Sequence, residues 1–110
     1  MEWLTCIKSS IDYIENHIKE NISIDDVANN SYVSSYYLQV GFDIMTGYSI
    51  GEYIRNRKLC LAALDLEKGA KVIDVAFEYG YETPESFTKA FKRFHGFNPS
   101  QIKNNKIKRF

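Results

Sequence analysis

Apolar residues at Leu4, Ile7, Ile11, Ile14 and Ile18 step by three or four along the start of the chain, which predicts a first helix with one apolar stripe. Ser23, with Asp26 three residues on and the pair Ile22 and Val27 flanking them, has the form of an N-cap with a hydrophobic staple. It predicts a short second helix over residues 24–30. Ser34 opens a third, carrying Leu38, Phe42 and Met45 and stopping at Gly47. Ser49 and Glu52 make a full capping box. They open a longer helix with Ile50, Tyr53, Ile54, Leu61 and Leu64 at helical spacing, ending near Gly69. A fifth helix carries Val72, Val75, Ala76 and Tyr79 and ends at Gly80. Thr83 followed by Pro84 is an N-cap with proline in the first turn. That helix buries Phe87, Ala90, Phe91 and Phe94 and stops at Gly96, and Asn98 with Pro99 starts a seventh. No stretch alternates with period two for long enough to make a strand, so the fold class predicted is all-α with about seven helices.

One half of this pattern echoes the other. Val27 and Ala28 on a short helix lead through a turn to a capped helix with Leu38, Phe42 and Gly47. Val75 and Ala76 lead in the same way to Phe87, Phe91 and Gly96, with one more residue in the turn. Each copy is a helix, a tight turn and a second helix, the arrangement of a helix-turn-helix. The predicted organisation is a first such subdomain over 1–48, a linker helix over 49–68, a second subdomain over 69–103 and a basic tail or linker over 104–110.

Charge sharpens the picture. The formal net charge is zero. Residues 1–54, however, hold two basic side chains (Lys8, Lys19) against eight acidic, a net of −6, and residues 55–110 hold twelve against six, a net of +6. Such asymmetry points either to a charged partner on one side or to attraction between the two halves themselves. The faces left over by the apolar positions fit that partner. The third helix shows Ser34, Ser35, Tyr36, Tyr37 and Gln39, and the sixth shows Glu85, Ser86, Thr88, Lys89, Lys92 and Arg93, groups that reach base edges and phosphates.

Composition removes other classes. At 45% hydrophobic and 25% charged the chain is an ordinary globular one. No apolar run approaches the roughly 20 residues of a membrane span, and the start has no signal-peptide pattern. A cytoplasmic location is expected. Cys6 and Cys60 lie far apart inside helical patterns and read as packed thiols, and with His17 and His95 they show no zinc-ligand spacing. The two histidines read as surface or satisfied side chains. There is no phosphate loop, nucleophile elbow or paired carboxylate, so neither a cofactor nor an enzymatic activity is expected.

Three ordered segments carry a resemblance. These are Ile50–Lys58 (IGEYIRNRK), Val72–Tyr81 (VIDVAFEYGY) with Ser86, Phe87, Ala90, Phe91 and Lys92 after it, and Gly96–Pro99 (GFNP). Together the chain resembles the AraC-type DNA-binding domain of bacterial transcription regulators, in its MarA, SoxS and Rob flavour. The resemblance implies that the helix after each turn enters a major groove. Carried over, Ser35, Tyr36, Gln39 and Val40 read bases in the first unit, and Pro84, Glu85, Ser86, Thr88 and Lys89 in the second. Ser34, Thr83, Lys92 and Arg93 face phosphates. Two readers on one face of a duplex lie about 34 Å apart, and a helix of about 20 residues, roughly 30 Å long, suits that separation. It further implies double-stranded DNA and RNA polymerase as partners, activation as the mode, a monomer, and in some relatives a C-terminal effector-binding domain beyond such a segment.

Two features depart from the pattern. Relatives commonly carry arginine and bulky residues where this chain has Val40 and Gly41, and its third helix has no Lys or Arg. A division of labour is therefore expected, with the second unit supplying the electrostatics through Lys89, Lys92, Arg93 and the tail residues Lys103, Lys106, Lys108 and Arg109. Gly41 either admits close approach of the backbone to DNA or is simply tolerated. Arg55, Arg57 and Lys58 read as bracing the linker helix against carboxylates, with phosphate contact as the alternative. Glu85 has an equal claim as a helix-dipole acid. The competing functional reading is a helical protein-interaction module that contacts polymerase or a partner without specific DNA.

Overall fold

The computed structural model describes residues 2–104 and 107–108, with the side chain of Asn104 set aside. Every regular element among them is helical. The chain divides into two compact units, Met1–Ile54 and Arg55–Phe110, and the division falls inside its longest helix.

The first unit contains α1 (Trp3–Asn16), α2 (Ile24–Asn30), α3 (Ser35–Thr46) and the opening of α4 (Ile50–Glu67). Cys6, Ile14, Val27, Leu38, Phe42 and Ile50 form its fully buried core. The expected stripe on α1 holds at Ile7, Ile14 and Ile18, which are buried, and fails at its start. Leu4 is 65% exposed, and the small residues Cys6 and Ser10 point inward instead. Met45, expected on the buried side of α3, is also exposed. Space near α1 is tight, and burying a serine there requires hydrogen bonds. Ser10 donates to the Cys6 carbonyl (2.8 Å) and meets the Ser31 hydroxyl at 3.3 Å.

Gly41 is explained by the same helix. A Cβ placed on it would lie 1.8 Å from Cζ3 of Trp3. The indole occupies the notch that glycine leaves in α3 and stacks on Tyr37, ring centroids 4.2 Å apart and 11° from parallel. The close approach at Gly41 is thus made by an aromatic ring of the protein, and the expectation of a DNA backbone there is replaced.

The second unit contains the rest of α4, α5 (Val72–Glu78), α6 (Pro84–His95) and a 3₁₀ helix (Pro99–Asn104). The seventh helix is therefore a 3₁₀ segment. Phe87 and Phe91, both fully buried, pack with Ala62, Ala63, Leu66, Val75, Ala76, Tyr79 and Phe97. The Tyr79 hydroxyl donates to Asp65 at 2.7 Å. Both cysteines are buried and unbridged.

The repeat extends to the backbone. Val33 N–H reaches the Ala28 carbonyl (3.1 Å) and Tyr81 N–H the Ala76 carbonyl (3.0 Å), each across five residues, so α2 and α5 end in the same Schellman-type motif. That motif needs a left-handed residue, which is Gly80 (φ +86°) in the second copy and Tyr32 (φ +58°) in the first. A bulky side chain in this region is strained, by about 1–3 kcal/mol. The echo continues after α3 and α6. Glu52 accepts from the Ser49 N–H at 3.1 Å, and Gln101 from the Asn98 N–H at 2.9 Å.

The tail is tied down where it is described. Ile107 is buried in the second core, and the Lys108 ammonium lies 5.2 Å above the Phe94 ring. Between them stands His95, whose Nε2 lies 3.0 Å from the Leu59 carbonyl while its Nδ1 accepts from the Lys108 N–H at 3.0 Å. This pair of contacts requires the neutral ring with the proton on Nε2. Burial pushes the His95 pKa below the usual histidine value, the Leu59 hydrogen bond opposes it, and the Lys108 charge adds to the lowering. The unfolded chain therefore takes up a proton first. Stability is full above about pH 6.5 and falls as the pH drops from there towards the lowered folded value. Melting curves between pH 7.5 and 5 should show this decline, and His95→Gln should flatten it. A wild-type profile already flat across that range would remove the assignment.

Candidate nucleic-acid interface

Each post-turn helix starts on a side-chain cap. Ser34 accepts from the Tyr37 N–H and Thr83 from the Ser86 N–H, both at 3.1 Å, and each helix ends on a left-handed glycine, Gly47 or Gly96. The caps and glycines set the length of exposed helix, and the buried ridges Leu38/Phe42 and Phe87/Phe91 set which face is turned outward.

On α3 the outward face is Ser35, Tyr36, Gln39, Val40 and Asp43, at offsets of one, four, five and eight residues. Tyr36 is 77% exposed and Val40 40%. Tyr36, Gln39 and Val40 line an open groove of about 470 Å³ whose other walls include Ile24, Ser49 and Ile50. Asp43 is the charged residue of that lining, so the groove is neutral to acidic. Ser35 stands apart from the groove's lining, and its hydroxyl donates to Asp25 on α2. Tyr37 turns away to stack on Trp3.

On α6 the outward face is Glu85, Ser86, Lys89, Lys92 and Arg93, all exposed, with Pro84 and Thr88 half-buried at its margins. The Ser86 hydroxyl donates to the Thr83 carbonyl at 2.8 Å, which closes the first turn. Glu85 stands in that turn, where the helix dipole favours an acid. Lys92, Arg93 and His95 crowd the last turn. The basic groups sit four and eight residues beyond Glu85, so they rise on one side of the helix.

Two of the four tail cations fall among the described residues, and both are exposed. Lys103 is exposed, Lys108 covers Phe94, and Lys106 and Arg109 lie outside the described residues. The residues Arg55, Arg57 and Lys58 separate. Arg57 reaches Cys60 Sγ at 3.8 Å. Lys58 is partly desolvated, which lowers its pKa. Arg55 is exposed and has no carboxylate partner among the described residues. Bracing therefore does not extend to Arg55. Among the described residues no cluster of His, Cys, Asp and Glu could hold a metal, and no helix is long and apolar enough to cross a membrane.

Comparison with known proteins gives this geometry a family. Residues 27–105 match the family described as "Helix-turn-helix domain". The chain is 37% identical over 95 residues to the HTH-type transcriptional activator AarP of Providencia stuartii, covering 86% of this chain and 70% of that protein. It is 36% identical over 99 residues to the regulatory protein SoxS of Salmonella typhimurium, covering 89% and 92%. Among solved structures, an AraC-type regulator from Chromobacterium violaceum superposes with a TM-score of 0.86 at 19% identity, over 91% of this chain and 90% of that one. The DNA-binding domain of AdpA in complex with a target DNA superposes at 0.75 and 20% identity, over 88% of each. At those identities the superpositions speak for the fold, and the sequence matches carry the kinship: the chain belongs to the AraC-type helix-turn-helix family of DNA-binding transcription regulators.

Proposed function

We propose that the protein binds specific double-stranded DNA sites with one reading helix of each unit in a major groove, and activates transcription there. The observation that carries this is the exposed face of α6. Lys89, Lys92 and Arg93 stand on it with no acidic partner among the described residues, directly opposite a ridge of buried phenylalanines. In this reading Lys89 addresses guanine O6/N7, Glu85 cytosine N4 and the Thr88 methyl thymine, with Pro84 and Ser86 packed beside them, while Gln39 addresses adenine N6/N7. Tyr36 and Val40 give apolar contact, and Ser35 adds a polar one from beside Asp25. Lys92 and Arg93 hold phosphates, and the capped helix starts at Ser34 and Thr83 approach them. Polymerase contact, a monomeric state, a cytoplasmic location, the absence of catalysis and a C-terminal effector domain in the full protein complete the proposal. A module that meets protein alone is not favoured, because it leaves the α6 cations without a role.

The test is selection from a random duplex library, then titration of the selected site at two salt concentrations. Two enriched blocks about one helical turn apart are expected, with affinity falling steeply with salt as counterions are released. Lys89→Ala should abolish the preference in one block and Gln39→Ala weaken it in the other. Enrichment of a single block, unmoved by Gln39→Ala, would make the first unit a passenger. No binding at low salt would overturn the regulator reading.

A further inference from the structure

Beside the reading face of α6, within the second unit, lies a notch of about 200 Å³ lined by Arg55, Asn56, Leu59, Tyr81, Ala90, Arg93 and Phe94. Its chemistry is one-sided. Two arginines, an asparagine and a tyrosine share the lining with the apolar Leu59, Ala90 and Phe94, and it contains no carboxylate. Both arginines are exposed and without an ion-pair partner among the described residues. The Tyr81 ring is fixed edge-on against Phe87, centroids 5.3 Å apart, and its hydroxyl has no protein partner among the described residues. Burial raises the Tyr81 pKa while the Arg55 charge lowers it, so the phenol stays a donor and the guanidinium is within electrostatic reach of it. A cluster of donors that includes two guanidinium groups and no carboxylate suits a compact oxyanion with several acceptor oxygens.

Arg93 decides which oxyanion. It belongs both to this notch and to the exposed face of α6, four residues beyond Lys89. When α6 lies in a major groove, its flank faces the sugar-phosphate wall. We infer that the notch is a clamp for one DNA backbone phosphate, in which Arg55 and Tyr81, neither on the reading helix, join Arg93 and fix the angle at which α6 enters. The clamp rests on the DNA reading above and adds a positioning contact, so it changes affinity and leaves sequence preference unchanged.

The experiment uses the full chain and its selected duplex. Arg55→Gln should reduce the slope of log affinity against log salt by about 0.9, one phosphate fewer, with the selected sequence unchanged. Arg55→Lys should keep that slope, and a melting curve for each variant separates lost contact from lost fold. Tyr81→Phe should weaken binding with the slope intact. Neutralising phosphates one at a time as methylphosphonates should reveal a position that weakens wild type and leaves Arg55→Gln unaffected. If wild type binds the duplex with a steep slope and Arg55→Gln has the same slope, the clamp is wrong and the DNA reading stands. Should that variant instead abolish saturable binding of inorganic phosphate to the free protein, the notch belongs to a free anion and the clamp is equally overturned. Wild type that binds no duplex overturns both.

Discussion

Phe91→Ala should cost the second unit about 3–5 kcal/mol, the usual penalty for emptying a buried aromatic site. The ring is fully buried and touches three others. Phe87 lies 5.6 Å away between centroids, His95 4.4 Å and Phe97 5.7 Å. These neighbours come from α6 itself and from the chain after Gly96, so closing the cavity requires moving α6. A small unit has only a few kcal/mol to lose, and duplex binding should disappear with the fold. Chemical denaturation followed by circular dichroism measures the loss. A change under about 1 kcal/mol would mean that the neighbouring rings collapse into the space and that Phe91 does not hold α6 in place.

Gly41→Leu should destabilise the first unit by about 1–3 kcal/mol, the range for overpacking a filled site. Propensity alone argues the opposite sign, since leaving glycine in a helix interior gives up about 1 kcal/mol. Sterics win because the notch is already filled. The first carbon of any side chain would overlap the Trp3 ring, and expelling the indole also ends its stack on Tyr37. Trp3 is the single tryptophan, so its emission reports the event and should shift to the red. The double variant Trp3→Ala with Gly41→Leu should recover most of the loss, because the leucine then occupies the vacated space. A single variant as stable as wild type with unchanged emission would sink this account of Gly41.

Most of the fold was legible because helix ends are local chemistry. Ser23, Ser34, Ser49 and Thr83 each lie three residues before a backbone N–H that they cap, and the glycines that stop α3 and α6 take the left-handed form that other residues resist. The phenylalanine ridge of α6 and the cationic face opposite it follow from a period of 3.6 residues, which pattern alone reveals. Where competing apolar residues crowd one helix, period alone misleads. Leu4 has the right spacing on α1, yet Cys6 and Ser10 take the inward positions, since the depth available beneath α1 is set by α2 and α3.

What the sequence by itself determined is thus the set of helices, their ends, the duplication and the family, all of which depend on contacts within about five residues or on ordered motifs. What only the tertiary structure decided involves partners far apart in sequence. The indole of Trp3 fills the space at Gly41, His95 ties Leu59 to Lys108, and Arg55 meets Tyr81 and Arg93 around one notch. Spacing along a chain fixes which side of its own helix a residue occupies. Which distant side chain arrives opposite depends on how the helices pack, and no local period encodes that.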